Sequence, residues 1–328
     1  MSTKSRTLCC ALTGGLLLAA CGGGSGSSST TTSAEGTGAY GVQVASYDLA
    51  ADGPQRFLVG LLGDDNTLIV GGEVALDFRF YGTDATETAE LKDGELRATD
   101  VRAAFTPVAD GAPPPAGEGP RPKEGDEGVG VYEANGIEFD DAGFWSVTVK
   151  VEIDGRPVET SAAFEVAAEH RIVNTGDQAP RTENLLPGDP DAPVKAVDSR
   201  AEEDGSVPDP ELHELTVADA IASGKPTVVV VSTPVFCVSR FCGPITDSIQ
   251  TLVPDYADRA NFVHIEVWRD FEGNALNRAA AEWIYPDKDA DPSEPWVFLV
   301  GGDGTVLRRW DNVANLDSVE SALSEAVS

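Results

Sequence analysis

Hydrophobic and polar residues follow two different patterns along this chain. Between residues 40 and 168, apolar and polar positions alternate in short runs that are separated by turn residues. Such alternation is typical of β-strands with one buried face. Glu73–Phe80 is the clearest run, and Asp154-Gly155 predicts a tight turn between the last two strands. The residues of the clearest run that we expect to face a core are Val74, Leu76, Phe78 and Phe80.

From residue 209 to the end, continuous apolar runs alternate with helical patterns. Thr227–Ser232 is a run of mostly β-branched residues, which suits a strand that is buried on both faces. Thr216 and Gly224 predict the start and end of a short helix before this strand. The later predicted elements are a helix over 243–256, a strand over 261–268, a helix over 274–284, a hairpin of strands 296–300 and 305–310, and a helix over 316–327. Counted from Thr227–Ser232, the predicted order is therefore β-α-β-α-β-β-α.

Residues 169–208 show no sustained periodicity and are rich in Pro, Asp, Gly and Glu. This composition predicts a semi-extended linker that drapes over one of the domains. His170 lies at its start, with no second histidine or cysteine nearby, so we expect a solvated side chain. A second cluster of Pro, Gly and charged residues, over 109–130, predicts an exposed loop.

The first 39 residues have the pattern of an export signal followed by a tether. Lys4 and Arg6 precede the apolar run Leu8–Ala20, which is too short to span a bilayer. Residues 22–39 consist almost wholly of Gly, Ser and Thr, the composition of a flexible linker. The run Leu18-Ala19-Ala20-Cys21 resembles the lipobox of bacterial lipoproteins. We therefore expect residues 1–21 to act as a signal peptide and a lipid on Cys21 to anchor the chain at the extracytoplasmic face of the cell membrane.

The charge balance narrows the possible partners. The chain has 55 Asp and Glu against 23 Lys and Arg, which gives a net charge of −32. Phosphate binding needs clustered basic residues, so nucleic acid is not an expected partner. An acidic surface of this kind is typical of a protein from a high-salt habitat or of an acidic exported protein, and the composition favours neither.

Two cysteines remain once the predicted export steps are taken into account. Cys9 and Cys10 leave with the signal, and Cys21 carries lipid. Cys237 and Cys242 follow the predicted strand Thr227–Ser232, at the point where a helix begins. An even pair in an oxidising compartment is expected to be bridged at least part of the time.

Two stretches of the chain resemble known families. The element order, the cysteines after the first strand, and Glu294-Pro295-Trp296 before the hairpin resemble the thioredoxin superfamily. The resemblance implies an α/β thioredoxin-like domain over residues 209–328, with a cis proline at Pro295 that faces the redox cysteines. The alternating strands over residues 40–168 predict an all-β sandwich. Gly143-Phe144-Trp145 and the strand after it resemble immunoglobulin-like modules over about forty residues, so the expected sandwich is immunoglobulin-like. We expect Trp145 in its core, where large aromatic side chains usually lie. The predicted fold class is thus a two-domain chain with a β-sandwich followed by an α/β domain.

The cysteine spacing departs from the superfamily's usual C-x-x-C, because four residues separate Cys237 from Cys242. In one register, Cys237 is the nucleophile and Cys242 resolves the mixed disulfide. In the other, Phe241-Cys242-Gly243-Pro244 matches an aromatic-Cys-Gly-Pro motif, with Ile245 in place of the second cysteine. We favour the first register, because Pro244 then lies near the proline that often kinks this helix.

The sequence favours a membrane-anchored thiol–disulfide oxidoreductase that acts on exported proteins bearing thiols or disulfides, with Cys237, Cys242 and Pro295 as its catalytic residues. The alternative is a redox-inert binding or scaffold lipoprotein in which the disulfide is structural. Metal or copper handling would need a third ligand that the sequence does not show, and Pro234 occupies the position where peroxidases of the superfamily have threonine. We therefore expect neither a metal nor another cofactor.

Overall fold

The computed structural model describes most of the chain after residue 39. The predicted signal peptide, the tether and the lipidation site Cys21 lie outside the described residues. Among the described residues, no helix is both long and apolar enough to cross a membrane. The described residues are 40–63, 66–84, 94–108, 114–115, 117–190, 192–237, 239, 241–285 and 293–328.

The first described region is built from strands, as the alternating pattern predicts. Its strands are β1 (Tyr40–Val44), β2 (Gln55–Gly63), β3 (Ile69–Val70), β4 (Glu73–Phe80), β5 (Glu95–Pro107), β6 (Arg121–Pro122), β7 (Gly130–Ile137), β8 (Gly143–Ile153) and β9 (Arg156–Val166). Asp154 and Gly155, which both have positive φ, form the predicted turn between β8 and β9.

Seven of these strands form one antiparallel sheet in the order β1-β2-β7-β5-β4-β8-β9. The segment after β1 returns to the end of β9, where the Ala51 amide donates to the Ala167 carbonyl at 2.8 Å. The sheet therefore nearly closes on itself, which leaves little free strand edge. The strands form a single, nearly closed sheet, and the immunoglobulin-like sandwich stays a prediction.

The core of this sheet is apolar and aromatic. Val74, Leu76 and Phe78 are buried and Phe80 is partly buried, in agreement with the prediction for β4. Trp145 is buried as expected, and its indole N–H donates to the Asp141 carbonyl. The alternating strands thus place their apolar faces on a common core.

Two parts of the first region differ from the sequence expectation. β5 is missing from the predicted strands because most of its residues are exposed or half-buried, so its apolar periodicity is weak. The loop predicted over 109–130 contains β6, which pairs with β3. Within this loop, Arg121 forms ion pairs with Glu118 and Glu127.

The second region contains a four-stranded mixed sheet. Its elements are α2 (Val217–Ala222), β10 (Thr227–Ser232), α3 (Cys242–Gln250), α4 (Val253–Tyr256), β11 (Asn261–Glu266), β12 (Trp268–Asp270), β13 (Ala275–Leu276), α5 (Arg278–Ile284), β14 (Trp296–Val300), β15 (Val306–Asp311) and α6 (Leu316–Ala326). The sheet order is β11-β10-β14-β15, with β10 parallel to β11 and antiparallel to β14. All residues of β10 are buried, as the β-branched run predicts.

Two predicted helices are shorter than expected. The helix over 243–256 is divided into α3 and α4, because Pro254 in the first turn of α4 has no N–H to continue the α3 ladder. The helix over 274–284 begins only at Arg278, since Ala275–Leu276 instead pairs with β12. At the other end of the domain, Thr216 accepts a hydrogen bond from the Asp219 amide as a helix cap, in agreement with the prediction.

The linker packs against the second region over much of its length. It contains α1 (Val194–Val197), and a 3₁₀ turn at Pro210–Leu212 follows it. The Gly176 amide donates to the Val306 carbonyl, and the Ala218 amide donates to the Thr182 carbonyl. These contacts agree with a linker that drapes over one domain.

The expectation of a solvated His170 is wrong. Its side chain is only 6% exposed, and Nδ1 lies 3.1 Å from Asp48 Oδ2 and 2.7 Å from Arg309 Nη2. Asp48 belongs to the first region and Arg309 to β15. His170 therefore joins the two regions, an arrangement that a local sequence pattern cannot reveal.

Candidate functional site: a disulfide at the start of α3

The two predicted redox cysteines meet at the end of the central strand. β10 ends at Ser232, the chain then forms a loop, and α3 begins at Cys242. Cys237, in the loop, and Cys242 form a disulfide with a Cα–Cα distance of 6.0 Å. Cys237 therefore lies before the helix and Cys242 on its first turn, and which of the two is the nucleophile stays a prediction.

The two sulfur-bearing residues differ in their access to solvent. Cys237 is partly exposed, whereas Cys242 is 0% exposed. Cys242 is also the first residue of α3, where free backbone N–H groups and the helix dipole stabilise a thiolate. An incoming sulfur would therefore reach Cys237, and Cys242 occupies the better position for a leaving thiolate.

Pro295 lies immediately before β14, beside the end of β10. The Glu294–Pro295 peptide bond is cis, as the superfamily resemblance implies. Trp296, the next residue, pairs with Val231 of β10, one residue before that strand ends. The proline therefore lies at the same end of the sheet as the loop that carries Cys237.

Glu294 is the main residue at this site that the sequence analysis did not identify. One of its carboxylate oxygens, Cys237 Sγ and Cys242 Sγ all lie within 4.8 Å of one another. Glu294 is only 8% exposed, and its Oε2 has no hydrogen-bond partner in the described part of the chain. Burial, with a smaller contribution from the charge of Glu266, raises its pKa to about 7. The available signal was an acidic residue directly before a fully apolar strand.

Glu266, at the end of β11, is a second buried carboxyl near this edge. It accepts hydrogen bonds from the Ser199 amide at 2.8 Å and the Trp268 amide at 3.2 Å. Burial raises the pKa of Glu266 despite these donors. Glu266 and Glu294 are therefore two buried acids, and the charge of Glu266 makes Glu294 harder to ionise.

One hydrogen bond from the linker and two local contacts hold the cysteine loop in place. The Val235 amide donates to Ser199 Oγ of the linker at 3.1 Å. The Thr246 hydroxyl donates to the Cys242 carbonyl at 2.8 Å, and Cys237 Sγ lies 3.2 Å from Ser239 Oγ. The linker is thus part of the structure that supports the site.

The first region also supplies a residue to this neighbourhood. The Tyr47 hydroxyl donates to the Glu294 carbonyl at 3.0 Å, and the Tyr47 amide donates to Asp311 Oδ2 at 2.8 Å. Burial raises the pKa of Tyr47, so the phenol stays protonated as a donor. Because nearly 250 residues separate Tyr47 from Glu294, no local pattern could have placed them together.

An apolar surface lies next to the exposed cysteine. Phe236 stacks on Phe271 with ring centroids 4.2 Å apart, and Trp268 packs edge-on against Phe271 at 5.4 Å. Val235 is 54% exposed and Phe271 is 44% exposed. Trp283, Trp296 and Trp310 are instead buried in the domain, so one of the four late tryptophans belongs to this surface.

A separate cleft of about 720 Å³ lies between the two regions. Its lining is mainly polar and includes Asp48, Arg56 and Arg309, while neither Cys237 nor Cys242 lines it. Arg56 there pairs with Glu133 of the same region and with Asp311 across the interface. The chemistry of the sulfur pair is therefore located elsewhere.

Comparison with known proteins adds no relative. The chain matches no protein-family model, no curated protein and no solved structure.

Proposed function

We propose that this protein is a membrane-anchored, extracytoplasmic thiol–disulfide oxidoreductase that uses Cys237, Cys242 and Pro295. Its substrates are exported proteins that bear thiols or disulfides. The observation that carries the proposal is the asymmetry of the pair, with a partly exposed Cys237 in a loop and a buried Cys242 at the first turn of α3. The element order and the mixed four-stranded sheet also fit the resemblance to the thioredoxin superfamily.

The exchange begins at the accessible sulfur. A substrate thiolate attacks Cys237 Sγ, the Cys237–Cys242 bond breaks, and its electron pair leaves on Cys242 Sγ as a thiolate. A second substrate thiolate then attacks the substrate sulfur of the mixed disulfide and expels the Cys237 thiolate. The substrate dithiol is thereby oxidised by two electrons and the protein pair is reduced; the reverse sequence reduces a substrate disulfide.

Glu294 is positioned to donate and accept a proton during this exchange. With a pKa of about 7 the carboxyl is partly protonated near neutral pH, and it lies within 4.8 Å of both sulfurs. Protonated Glu294 can transfer its proton to the departing Cys242 thiolate, and the carboxylate can accept that proton when the pair is reoxidised. The exposed surface of Val235, Phe236 and Phe271 lies where an apolar stretch of substrate would pass Cys237.

The second candidate is a redox-inert scaffold or binding lipoprotein with a structural disulfide. Complete burial of Cys242 favours it, because sealed disulfides tend to be resistant to reduction. The reduction potential separates the two functions. We expect a value above about −250 mV for exchange, whereas a value well below about −300 mV would leave only the structural bridge.

Trapping identifies the attacked sulfur. In a Cys242→Ser variant, a mixed disulfide on Cys237 cannot be resolved, so exported proteins accumulate as adducts on non-reducing gels. A Cys237→Ser variant retains only the buried sulfur and should form few adducts. Equal trapping by both variants would contradict the assignment of Cys237 as the nucleophile, and no trapping by either would contradict exchange.

The anchor has its own test. Because the lipid is expected on Cys21, a Cys21→Ser variant should lose incorporated fatty acid and leave the membrane fraction. The same variant should keep the reduction potential of the pair, since the described residues that form the site begin at Tyr47. Retention of the variant in the membrane fraction would contradict lipid anchoring through Cys21.

A further inference from the structure

A second cluster of polar side chains is buried in the second region and takes no part in the proposed sulfur chemistry. It brings together Asp198 of the linker, His213 after the 3₁₀ turn, and His264 of β11. The three residues are 0%, 3% and 1% exposed. One ligating atom from each lies within 4.8 Å of the other two.

The distances within this cluster are unusual for hydrogen bonds. Asp198 Oδ2 lies 3.4 Å from His213 Nε2 and 3.3 Å from His264 Nδ1, and the two ring nitrogens are 3.5 Å apart. Ordinary N–H···O bonds cluster near about 2.9 Å. Zinc bonds of about 2.0–2.2 Å at tetrahedral angles place neighbouring ligand atoms about 3.4 Å apart. The three atoms therefore have the dimensions of one face of a tetrahedral metal site.

The hydrogen-bond chain beside His264 determines which of its ring nitrogens carries the proton. The Thr246 hydroxyl donates to the Cys242 carbonyl, so Thr246 Oγ1 accepts from the Ser232 hydroxyl, 2.8 Å away. Ser232 Oγ then accepts from His264 Nε2 at 2.9 Å. In a neutral ring, Nδ1 is left with its lone pair directed at Asp198. A fixed partner on the second nitrogen is the usual arrangement for a metal-binding histidine.

Asp209 provides an independent observation that favours a cation at this cluster. Its side chain is fully buried, and Oδ1 lies 3.4 Å from His213 Nε2. In the part of the chain that the structure describes, this oxygen has no hydrogen-bond partner. A buried carboxylate oxygen without a donor is unfavourable unless a cation lies beside it.

The local charge also favours a cation. Arg200 Nη2 donates to Asp198 Oδ2, the same oxygen that faces the two histidines, and to Asp209 Oδ2, while Nη1 donates to Asp247 at 2.7 Å. One guanidinium thus faces two fully buried carboxylates, Asp198 and Asp209, as well as the exposed Asp247. With neutral imidazoles, the buried cluster keeps a net negative charge that a divalent ion would compensate.

We propose that this cluster binds one divalent transition-metal ion of the zinc class. The ligands are Asp198 Oδ2, His213 Nε2 and His264 Nδ1, and Asp209 Oδ1, 3.4 Å from His213 Nε2, is a further oxygen beside them. Mixed imidazole and carboxylate donors suit Zn²⁺, and complete burial is typical of a structural site rather than a catalytic one. The ion would fasten the linker to β11, close to Ser199, which holds the cysteine loop. This inference does not depend on disulfide exchange.

The test uses the full mature chain with its disulfide intact, so that no thiolate competes for metal. After incubation with Zn²⁺ and removal of the excess, elemental analysis should find about one zinc per chain. Asp198→Asn and His213→Gln should each lower the zinc affinity ~10-fold or more. His170→Gln is the matched control, because it changes the remaining histidine of the chain and should retain the metal.

A second measurement keeps the proposal testable if the variants fold poorly. The wild-type protein loaded with Co²⁺ should show the visible absorption of tetrahedral cobalt without the near-ultraviolet bands of thiolate ligation. Absence of this spectrum together with zinc-free wild-type protein would overturn the proposal and leave an ion-pair network around Arg200. Unchanged zinc affinity in both folded variants would overturn the assignment of the ligands.

Discussion

Two buried carboxyl groups in this protein have opposite environments. Asp48, at the contact between the two regions, faces Arg309 at 2.8 Å and His170 at 3.1 Å. Burial alone would raise the pKa of Asp48, but the His170 hydrogen bond and the Arg309 charge lower it below its usual value. Glu294, beside the disulfide, has no donor to Oε2 among the residues that the structure describes, and burial raises its pKa to about 7.

The comparison separates structural from chemical uses of a buried acid. A fully paired carboxylate remains charged and binds two parts of the chain together. An unpaired carboxyl close to a disulfide stays protonated until near neutral pH, which is the state a proton donor needs.

The largest expected effect comes from breaking the Asp48 network. Arg309→Met removes the cation and leaves a buried carboxylate, which should lower the free energy of unfolding by about 3 kcal/mol. Urea denaturation of the wild type and the variant measures the loss. Arg308→Met is the matched control, because Arg308 is the neighbouring arginine and is exposed. Equal losses in the two variants would show that the Asp48 network contributes little.

The second prediction concerns the pH dependence that Glu294 brings to stability. A carboxyl whose pKa is about 7 in the folded protein and about 4.5 in the unfolded chain stabilises the fold below about pH 4.5 and loses that contribution as the pH rises to about 7. The contribution is on the order of 3 kcal/mol. In Glu294→Gln it is absent, so the stability of the variant relative to wild type should increase by that amount between pH 4.5 and pH 8.

Denaturation at the two pH values measures this difference. Glu272→Gln, at an exposed position between β12 and β13, is the control and should follow the wild type at both. If Glu294→Gln also follows the wild type, the carboxyl is solvated and its proposed role in proton transfer fails.

The smallest expected effect is that of the contact from the first region to the site. Tyr47→Phe removes the hydrogen bond to the Glu294 carbonyl and should reduce stability by about 1 kcal/mol. Because this hydroxyl holds the backbone next to Pro295, the reduction potential of the cysteine pair should also shift. Tyr40→Phe, on β1, should leave the potential unchanged; a shift of the same size in both variants would argue against a specific role for Tyr47.

The sequence predicts those parts of the fold that have a strong local pattern. The β-branched run of β10, the Thr216 cap, the Asp154-Gly155 turn and the position of the cysteine pair all carry such patterns, and the structure agrees with each. In β5 the pattern is weak, because most of its side chains are exposed or half-buried.

What the sequence could not predict depends on contacts between distant residues. His213 and His264 are 51 positions apart, and Asp198 joins them from a segment without periodicity. Tyr47 and His170 gain their roles only when the two regions pack together. The residues next to Tyr47 and His170 in the chain have no sequence pattern that would indicate these contacts.

The Ser199 contacts bear on how this protein can be divided for experiments. A fragment that starts at residue 209, the boundary suggested by sequence, would lose the hydroxyl that receives the Val235 amide and the amide that reaches Glu266. A fragment cut at that point would have a cysteine loop without its hydrogen bond to the linker. A cut upstream of Ile172 would keep that support, although the Tyr47 hydroxyl would still be lost.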